Sequence, residues 1–205
     1  MKPARNYTHN DVEIAQETPL FQGFFAVKKL TFKYRHFTGN WSNTVSRELI
    51  IRHRVAAALP YDPVLDKVIL IEQFRIGAMA DERSPWLLEA VAGIMDQPEA
   101  ITSLMQREVK EEAGLDVQAS IPITTFWSSP GGTDEKVQLY CAKVDASQAG
   151  GIFGLSHEHE DIKVHVVSSQ DAFALVESGE INTSPAIIAL QWLQLHLTKV
   201  RKQWL

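Results

Sequence analysis

The stretch from Gly93 to Leu115, Gly93-Ile-Met-Asp-Gln-Pro-Glu99 and then Arg107-Glu108-Val-Lys-Glu111-Glu112-Ala-Gly114-Leu115, constrains this chain more than any other. It follows an apolar run, Trp86 to Ala92, that reads as a strand. Gly93 suits a sharp turn out of that strand, because a residue without Cβ takes positive φ at little cost. Pro98 suits the first helical position, where a missing N–H costs nothing. Glu99 then falls in the first turn, where the helix dipole favours negative charge. Ile101, Leu104, Met105, Val109 and Ala113 recur at helical spacing and give a buried stripe. Gly114 stops the helix. The stretch therefore reads as a loop, a helix and a second turn.

The other helix face is acidic. Glu108, Glu111 and Glu112 stand at i, i+3 and i+4, which brings their carboxylates onto one surface. On a bare helix each such pair costs about 0.3 kcal/mol. A divalent cation reverses that sign, and hard oxygen ligands suit Mg2+ or Mn2+, which also bridge to phosphates. Taken alone, Arg107-Glu108-x-x-Glu111-Glu112 is equally a solvated acidic face with Arg107 as its salt-bridge partner. The larger pattern weighs against that. Gly93, Glu99, Arg107, Glu108, aliphatic Val109, Glu111, Glu112, Gly114 and aliphatic Leu115 match the box of the Nudix hydrolases at every defined position. This resemblance implies a loop–helix–loop that binds Mg2+ and cleaves a nucleoside diphosphate linked to another group. It also implies an α/β fold, an α/β/α sandwich around a mixed sheet.

Bulk properties narrow the partners. The 205 residues suit one sizeable domain, or one domain with a small extension. A net charge of −5 argues against nucleic acid or an anionic membrane as the main partner. No 18-residue apolar run marks a transmembrane helix. The start, Met-Lys-Pro-Ala-Arg-Asn, lacks the apolar core of a secretion signal. Cys141 has no second cysteine to pair with and reads as a buried, inert thiol. These features point to the cytoplasm.

Residues 1–10 are polar and expected to be poorly ordered. From Val12 to Ile51 the pattern is β-like, with Phe24 to Phe37 and Trp41 to Ile51 rich in aromatic and β-branched residues and Thr38-Gly39-Asn40 between them as a hairpin turn. Residues 1–54 are expected to form an N-terminal antiparallel β subdomain. A small sheet so rich in aromatics needs another surface to pack on, the main domain or a second subunit. Residues 55–205 are expected to form the Nudix domain. Val55 to Leu59 and Lys67 to Phe74 flank a hairpin, and Gly77 to Pro85 is a loop. Leu115 to Phe126 and Lys136 to Val144 read as strands, Gly150 to Glu160 as a flexible loop, and Asp161 to Val167 as a short strand. Ser168 or Ser169 caps a helix ending at Gly179, and a last helix runs from about Pro185 to Val200.

A diphosphate resists nucleophiles until its oxygens are neutralised and the attacking water is activated. Glu108 and Glu112, one turn apart, are the best metal ligands. Glu111 ligates directly or through water. The resemblance adds the backbone carbonyl of Ala92, and makes Gly93, Glu99 and Arg107 supports of the catalytic helix. A general base is still needed, and a loop can carry one that closes on substrate. Glu158 and Glu160 stand in such a loop, or simply make it acidic. The resemblance favours Glu158, while the choice between the two stays open in the residues themselves. His157 and His159 flank it, but no zinc-binding partner motif accompanies them.

Several stretches outside the box resemble the bacterial ADP-ribose pyrophosphatases of that family: Gly23-Phe24-Phe25, Glu72-Gln73-Phe74-Arg75, Pro85 to Glu89, Ser129-Pro130-Gly131-Gly132, and Asn182-Thr183-Ser184 before Ala189 to Leu193. Pro130, 16 residues past Gly114, stands where that group carries a proline. The resemblance implies hydrolysis of ADP-ribose to AMP and ribose 5-phosphate. It implies that Phe24 stacks on adenine with Arg47 nearby, that Arg75 meets the diphosphate and Glu135 the terminal ribose, and that Ile94 lines the substrate site. It implies a homodimer with exchanged N-terminal subdomains. Core packing is the competing reading of Phe24, and a plain surface arginine that of Arg75. Pro98 is a departure, since relatives often carry a small or acidic residue there. A sugar-nucleotide diphosphatase acting on GDP-mannose or ADP-glucose shares the box, and a non-catalytic nucleotide-sugar sensor is a further class. The intact glutamates favour catalysis.

Overall fold

A computed structural model describes residues 6–95 and 97–205. The expectation of poor order for residues 1–10 lies, for residues 1–5, outside the described residues. For the rest it is corrected. Thr8 caps a 3-10 turn at His9–Asp11: its hydroxyl accepts the Asn10 N–H at 3.2 Å, and the Asp11 carboxylate accepts the Thr8 N–H at 2.9 Å. A capping box satisfies donors that would otherwise have only water.

The chain forms two compact units, one of residues up to His53 with Trp127–Glu135, the other of Arg54–Phe126 with Lys136–Leu205. In the first, β1 (Val12–Gln22), β2 (Ala26–Tyr34) and β3 (Val45–Ile51) make an antiparallel sheet in that order. The expected hairpin turn is present, with Gly39 at φ 91°. Pro19 sits on the edge strand β1 beside a register shift, where its missing N–H breaks no interior ladder. Segment 127–135 is tied to the end of β3: the Ile50 N–H donates to the Gly132 carbonyl at 2.9 Å and the Arg52 N–H to Asp134 Oδ1 at 2.6 Å. No apolar residue described in this unit is buried, and Phe24 and Phe37 are 86% and 94% exposed.

The second unit holds β4 (Arg54–Asp62), β5 (Lys67–Phe74), β6 (Trp86–Glu89), β7 (Val91–Ile94), α1 (Ile101–Ala113), β8 (Ala119–Trp127), β9 (Lys136–Lys143), β10 (Gly151–Phe153), β11 (Ile162–Ser168), α2 (Ser169–Glu177) and α3 (Ser184–Trp204). Its sheet runs β10-β11-β5-β4-β9-β8, with β6 added on β5 and β7 on β4. β4 and β9 are parallel, whereas β4–β5, β5–β11 and β10–β11 are antiparallel, so the sheet is mixed. Strand alternation divides the core. Val68 and Leu70 face α2 and α3, while Ile69 and Ile71 face Leu104, Met105 and Val109 of α1. A strand covered on both faces reads as a continuous apolar run, as Val68-Ile-Leu-Ile71 does. The result is an α/β/α sandwich. Cys141 is buried in β9, where burial pushes its thiol up to about 12. Among the described residues no helix is long and apolar enough to cross a membrane.

Three expectations need correction. Helix α1 begins at Ile101, with extended Ala100 as its N-cap, so Pro98 and Glu99 precede the helix. Glu99 is held outside by Arg107, whose Nη2 donates to Glu99 Oε1 at 3.2 Å. The run Trp86 to Ala92 is not one strand. It breaks at Ala90 because β6 pairs with β5 and β7 with β4. The loop from Gly150 to Glu160 contains β10 and a 3-10 turn at Ser156–Glu158. In addition, α3 runs on to Trp204, whose carbonyl accepts from Lys143 Nζ at 2.7 Å.

Asp62, at the end of β4, fastens this unit. Its carboxylate is 3% exposed and accepts the N–H groups of Val64 at 2.8 Å, Leu65 at 3.0 Å and Ala146 at 2.8 Å. Removing it strands three donors, and unpaired buried donors cost far more than a paired bond gains. Asp62→Ala is expected to lower stability by about 3 kcal/mol. Urea unfolding of the purified variant measures this.

Candidate metal and diphosphate site

The box glutamates are seated on the strand just before the box. The Ala92 N–H donates to Glu112 Oε2 at 3.0 Å, and Glu112 is 3% exposed. Gly93 lies within β7 and takes no positive φ, which corrects the turn reading. Its lack of a side chain serves another purpose. A Cβ built at Gly93 would overlap the Glu108 carboxylate carbon. The strand thus receives one carboxylate on a backbone donor and the next on a bare Cα.

Arg107 organises the acidic face. Its Nη1 lies 2.9 Å from Glu108 Oε1 and 2.7 Å from Glu111 Oε2, and its Nη2 lies 3.2 Å from Glu99 Oε1. Burial works against the Arg107 charge, but Glu108, Glu99 and Glu111 outweigh it and hold its pKa above the usual arginine value. Glu108 is pushed up to about 7, by burial first and then by Glu111, Glu160 and Glu158, while Arg107 opposes. Glu112 is pushed up to about 8, by burial first and then by Glu108 and Glu160, while the Ala92 N–H and Arg75 oppose.

Among the described residues no three His, Cys, Asp or Glu side chains stand as a metal cluster, and Glu108 and Glu111 are both paired with Arg107. The donor set nevertheless fits a hard divalent ion. Glu108 is half-buried and Glu112 buried, on consecutive turns; Glu108 disfavours the charge of Glu112, and a cation supplies the missing countercharge. Glu111, whose Oε2 lies 2.7 Å from Arg107 Nη1, offers a third carboxylate on the same face.

The loop after β10 comes to the same place. Phe153 rests on Gly114, where φ is 71° and a Cβ would overlap the ring. The Gly154 N–H donates to the Glu111 carbonyl at 3.4 Å. Beyond these, the Leu155 N–H donates to Glu160 Oε2 at 3.0 Å, whereas Glu158 is more than half exposed with His157 Nε2 at 3.5 Å. Both glutamates lie close enough to raise the proton affinity of Glu108.

Arg75, at the end of β5, joins the group. Its charge eases ionisation of Glu112, and its Nε donates to Glu89 Oε2 at 2.7 Å. Glu89 was not singled out from the sequence. Burial raises its pKa and Arg75 opposes, and a carboxylate closing the apolar run Trp86-Leu-Leu was the available signal. Ile94, half-buried at the end of β7, pairs with Val55. Phe24, Arg47 and Glu135 belong to the first unit. There the exposed Phe24 ring meets Phe25 edge-on at 4.8 Å, which excludes core packing. Arg47 Nη1 donates to the Ser46 carbonyl at 2.9 Å, and Glu135 Oε2 accepts from Arg52 Nε at 2.8 Å.

Two carboxylates one turn apart, an arginine bound to the acidic face and a further carboxylate on a neighbouring loop fit metal-assisted cleavage of phosphate anhydrides. A protein-family model described as NUDIX domain matches residues 51–196, and the chain belongs to the Nudix family. Nudix hydrolases work with a divalent metal. The chain is 46% identical over 195 residues to the ADP-ribose pyrophosphatase of Escherichia coli (strain K12), covering 95% of this chain and 93% of that one. It is 42% identical to the ADP-ribose pyrophosphatase of Haemophilus influenzae, covering 100% of this chain and 95% of the relative. The GDP-mannose pyrophosphatase of Cronobacter sakazakii is 30% identical, with 90% of this chain and 96% of the relative covered. A solved structure described as ADP compounds hydrolase superposes with a TM-score of 0.71 at 18% identity, covering 93% of this chain and 96% of that one, a likeness of fold.

Two outcomes follow from this geometry. Gly93→Ala is expected to force Glu108 off the strand, lowering stability by about 2 kcal/mol and activity by about 100-fold. Thermal unfolding and turnover, measured together, check it. Without a divalent ion, Glu108 and Glu112 bind protons more tightly folded than unfolded. Their contribution to stability is full below the ordinary value of 4.5 and is lost as pH rises through about 7 to 8. Chelator-treated protein should therefore unfold at lower temperature at about pH 9 than at about pH 6. Glu112→Gln, which keeps an acceptor for Ala92, should flatten that slope.

Proposed function

We propose that this chain hydrolyses ADP-ribose to AMP and ribose 5-phosphate, with Mg2+ as the resident ion and Mn2+ as a substitute. The observation that carries the reaction is the seating of Glu112 on the Ala92 N–H and of Glu108 on Gly93, which fixes two carboxylates one turn apart. The likeness at 46% to an ADP-ribose pyrophosphatase, against 30% to a GDP-mannose pyrophosphatase, supports the substrate.

Glu108, Glu112 and Glu111, with the Ala92 carbonyl, would hold the ion, which when bound neutralises phosphate oxygens and lowers the pKa of water. Arg107 and Glu99 keep the helix carboxylates in place. Arg75 meets the negative diphosphate. Water attacks one phosphorus, the bridging P–O bond breaks, and Glu158 takes the proton from the water. Glu160 is the weaker candidate for base because its carboxylate is committed to the Leu155 N–H. Phe24 and Arg47 contact the adenine, Glu135 the terminal ribose, and Ile94 lines the substrate site.

The active form is a homodimer with exchanged N-terminal units. The three-stranded sheet of the first unit buries no apolar residue described, and exposes Val12, Ile14, Leu20 and Phe21. A sheet of that size needs its apolar side chains covered. A lone, buried thiol suits a reducing compartment, and the net charge of −5 does not favour nucleic acid or an anionic membrane, so we assign the chain to the cytoplasm.

The test is product analysis on purified protein with Mg2+ and a panel of ADP-ribose, ADP-glucose, GDP-mannose and NADH. The expected result is AMP and ribose 5-phosphate, formed fastest from ADP-ribose and abolished by chelator, with Glu158→Gln lowering kcat about 100-fold. Preference for GDP-mannose or ADP-glucose would discard the substrate. Tight binding of ADP-ribose without cleavage would make the chain a sensor.

A further inference from the structure

The loop that carries Glu158 is a closed excursion from a paired base. Its two roots, Phe153 and Ile162, are register partners in the β10–β11 ladder. Ile162 is fully buried and belongs to the core that covers α1. Between the roots the chain is knotted by its own bonds. The Leu155 N–H is held by Glu160 Oε2 at 3.0 Å, and the Leu155 carbonyl accepts the Glu158 N–H at 2.9 Å and the Glu160 N–H at 3.3 Å. Gly154, at φ 101°, leaves room for the Glu160 Cβ, which would otherwise stand 2.7 Å from its own. The knot is therefore tied by bonds within itself.

What connects this body to the catalytic helix is narrow. Phe153 lies on Gly114, the residue that ends α1, and no side chain larger than hydrogen fits there against the ring. The adjoining Gly154 N–H reaches the carbonyl of Glu111. On the other side of Phe153, Gly150 and Gly151 take φ of 121° and 116°, backbone that few other residues adopt, as the chain enters β10. The helix end that aims Glu108 and Glu112 is thus also the seat of the loop that aims Glu158.

We infer that Phe153 is a positioning residue for the reaction: its ring, packed on Gly114, sets where Glu158 stands relative to the box carboxylates. This rests on Glu158 being the base, as proposed above. Truncating the ring leaves the knot's own hydrogen bonds intact but removes its side-chain contact with the helix end, leaving the Gly154 N–H to Glu111 as the remaining tie described above. The loss then falls on proton transfer and spares ground-state binding. Geometric misplacement of a reacting group costs turnover steeply.

A double-mutant cycle in the full chain tests this, with Phe153→Ala, Glu158→Gln and both together. ADP-ribose, or whichever member of the substrate panel the parent cleaves, is the substrate. Phe153→Ala should lower kcat roughly 10- to 100-fold with KM within about twofold of the parent. In the Glu158→Gln background the same change should cost almost nothing more, because both act on one step. Phe153→Leu should restore most of the lost turnover, and it also serves if the alanine variant does not fold. Equal losses in the two backgrounds would overturn the inference, since Phe153 would then act on the fold at large. Unchanged turnover in Phe153→Ala, with Glu158→Gln impaired, would overturn it as well. Parent-like turnover in Glu158→Gln would instead refute the base and take this inference with it.

Discussion

The fastening of α1 onto β7 is the contact on which the rest depends. Two features of that strand make it possible, a backbone N–H at Ala92 and a missing side chain at Gly93. Neither is a chemical group in the usual sense of an active site. Together they let a helix lay two carboxylates against a strand with almost no solvent between. Apolar packing of Leu104, Met105 and Val109 under the sheet holds the helix down hard enough to keep that arrangement.

The seating carries an electrostatic cost that the surroundings only partly meet. Burial, joined by repulsion from neighbouring carboxylates, makes Glu108 and Glu112 reluctant anions at neutral pH. Arg107 relieves Glu108 and Glu111, while Glu112 has only an N–H and the more distant Arg75. A buried charge without full compensation is a poor way to stabilise a protein. It is a good way to favour a cation, because the ion supplies what the fold withholds. The same reasoning reaches Glu89, which sits buried beside Arg75 and sets how that guanidinium is presented.

Much of this was legible from the chain, and the reasons differ by element. Spacing made the acidic face legible, because helix geometry turns i, i+3 and i+4 into one surface, but its reading as a metal box came from the resemblance of the whole pattern. The central strand announced itself as Val68-Ile-Leu-Ile71, since burial on both faces removes the polar alternation. Gly93 was singled out for the wrong physical reason: a glycine needed for close approach looks the same in sequence as one needed for a turn. The start of α1 was misplaced because Glu99 answers to Arg107, eight residues on, and not to the helix dipole. The break at Ala90 was invisible because it arises from which neighbour each half pairs with. Glu89 was missed because its partner is fourteen residues away. For Phe24, Arg47 and Glu135, sequence supplied the candidates through resemblance alone.

The link at Asp62 has a consequence for how the chain comes to be folded. Its carboxylate joins the end of β4 to Ala146, eighty-four residues later. The parallel pairing of β4 with β9 closes over the same interval, and α1 lies inside it. Closing so long a loop must precede the reward of its contacts, which slows folding. The box helix therefore lies within the long connection between these two parallel strands.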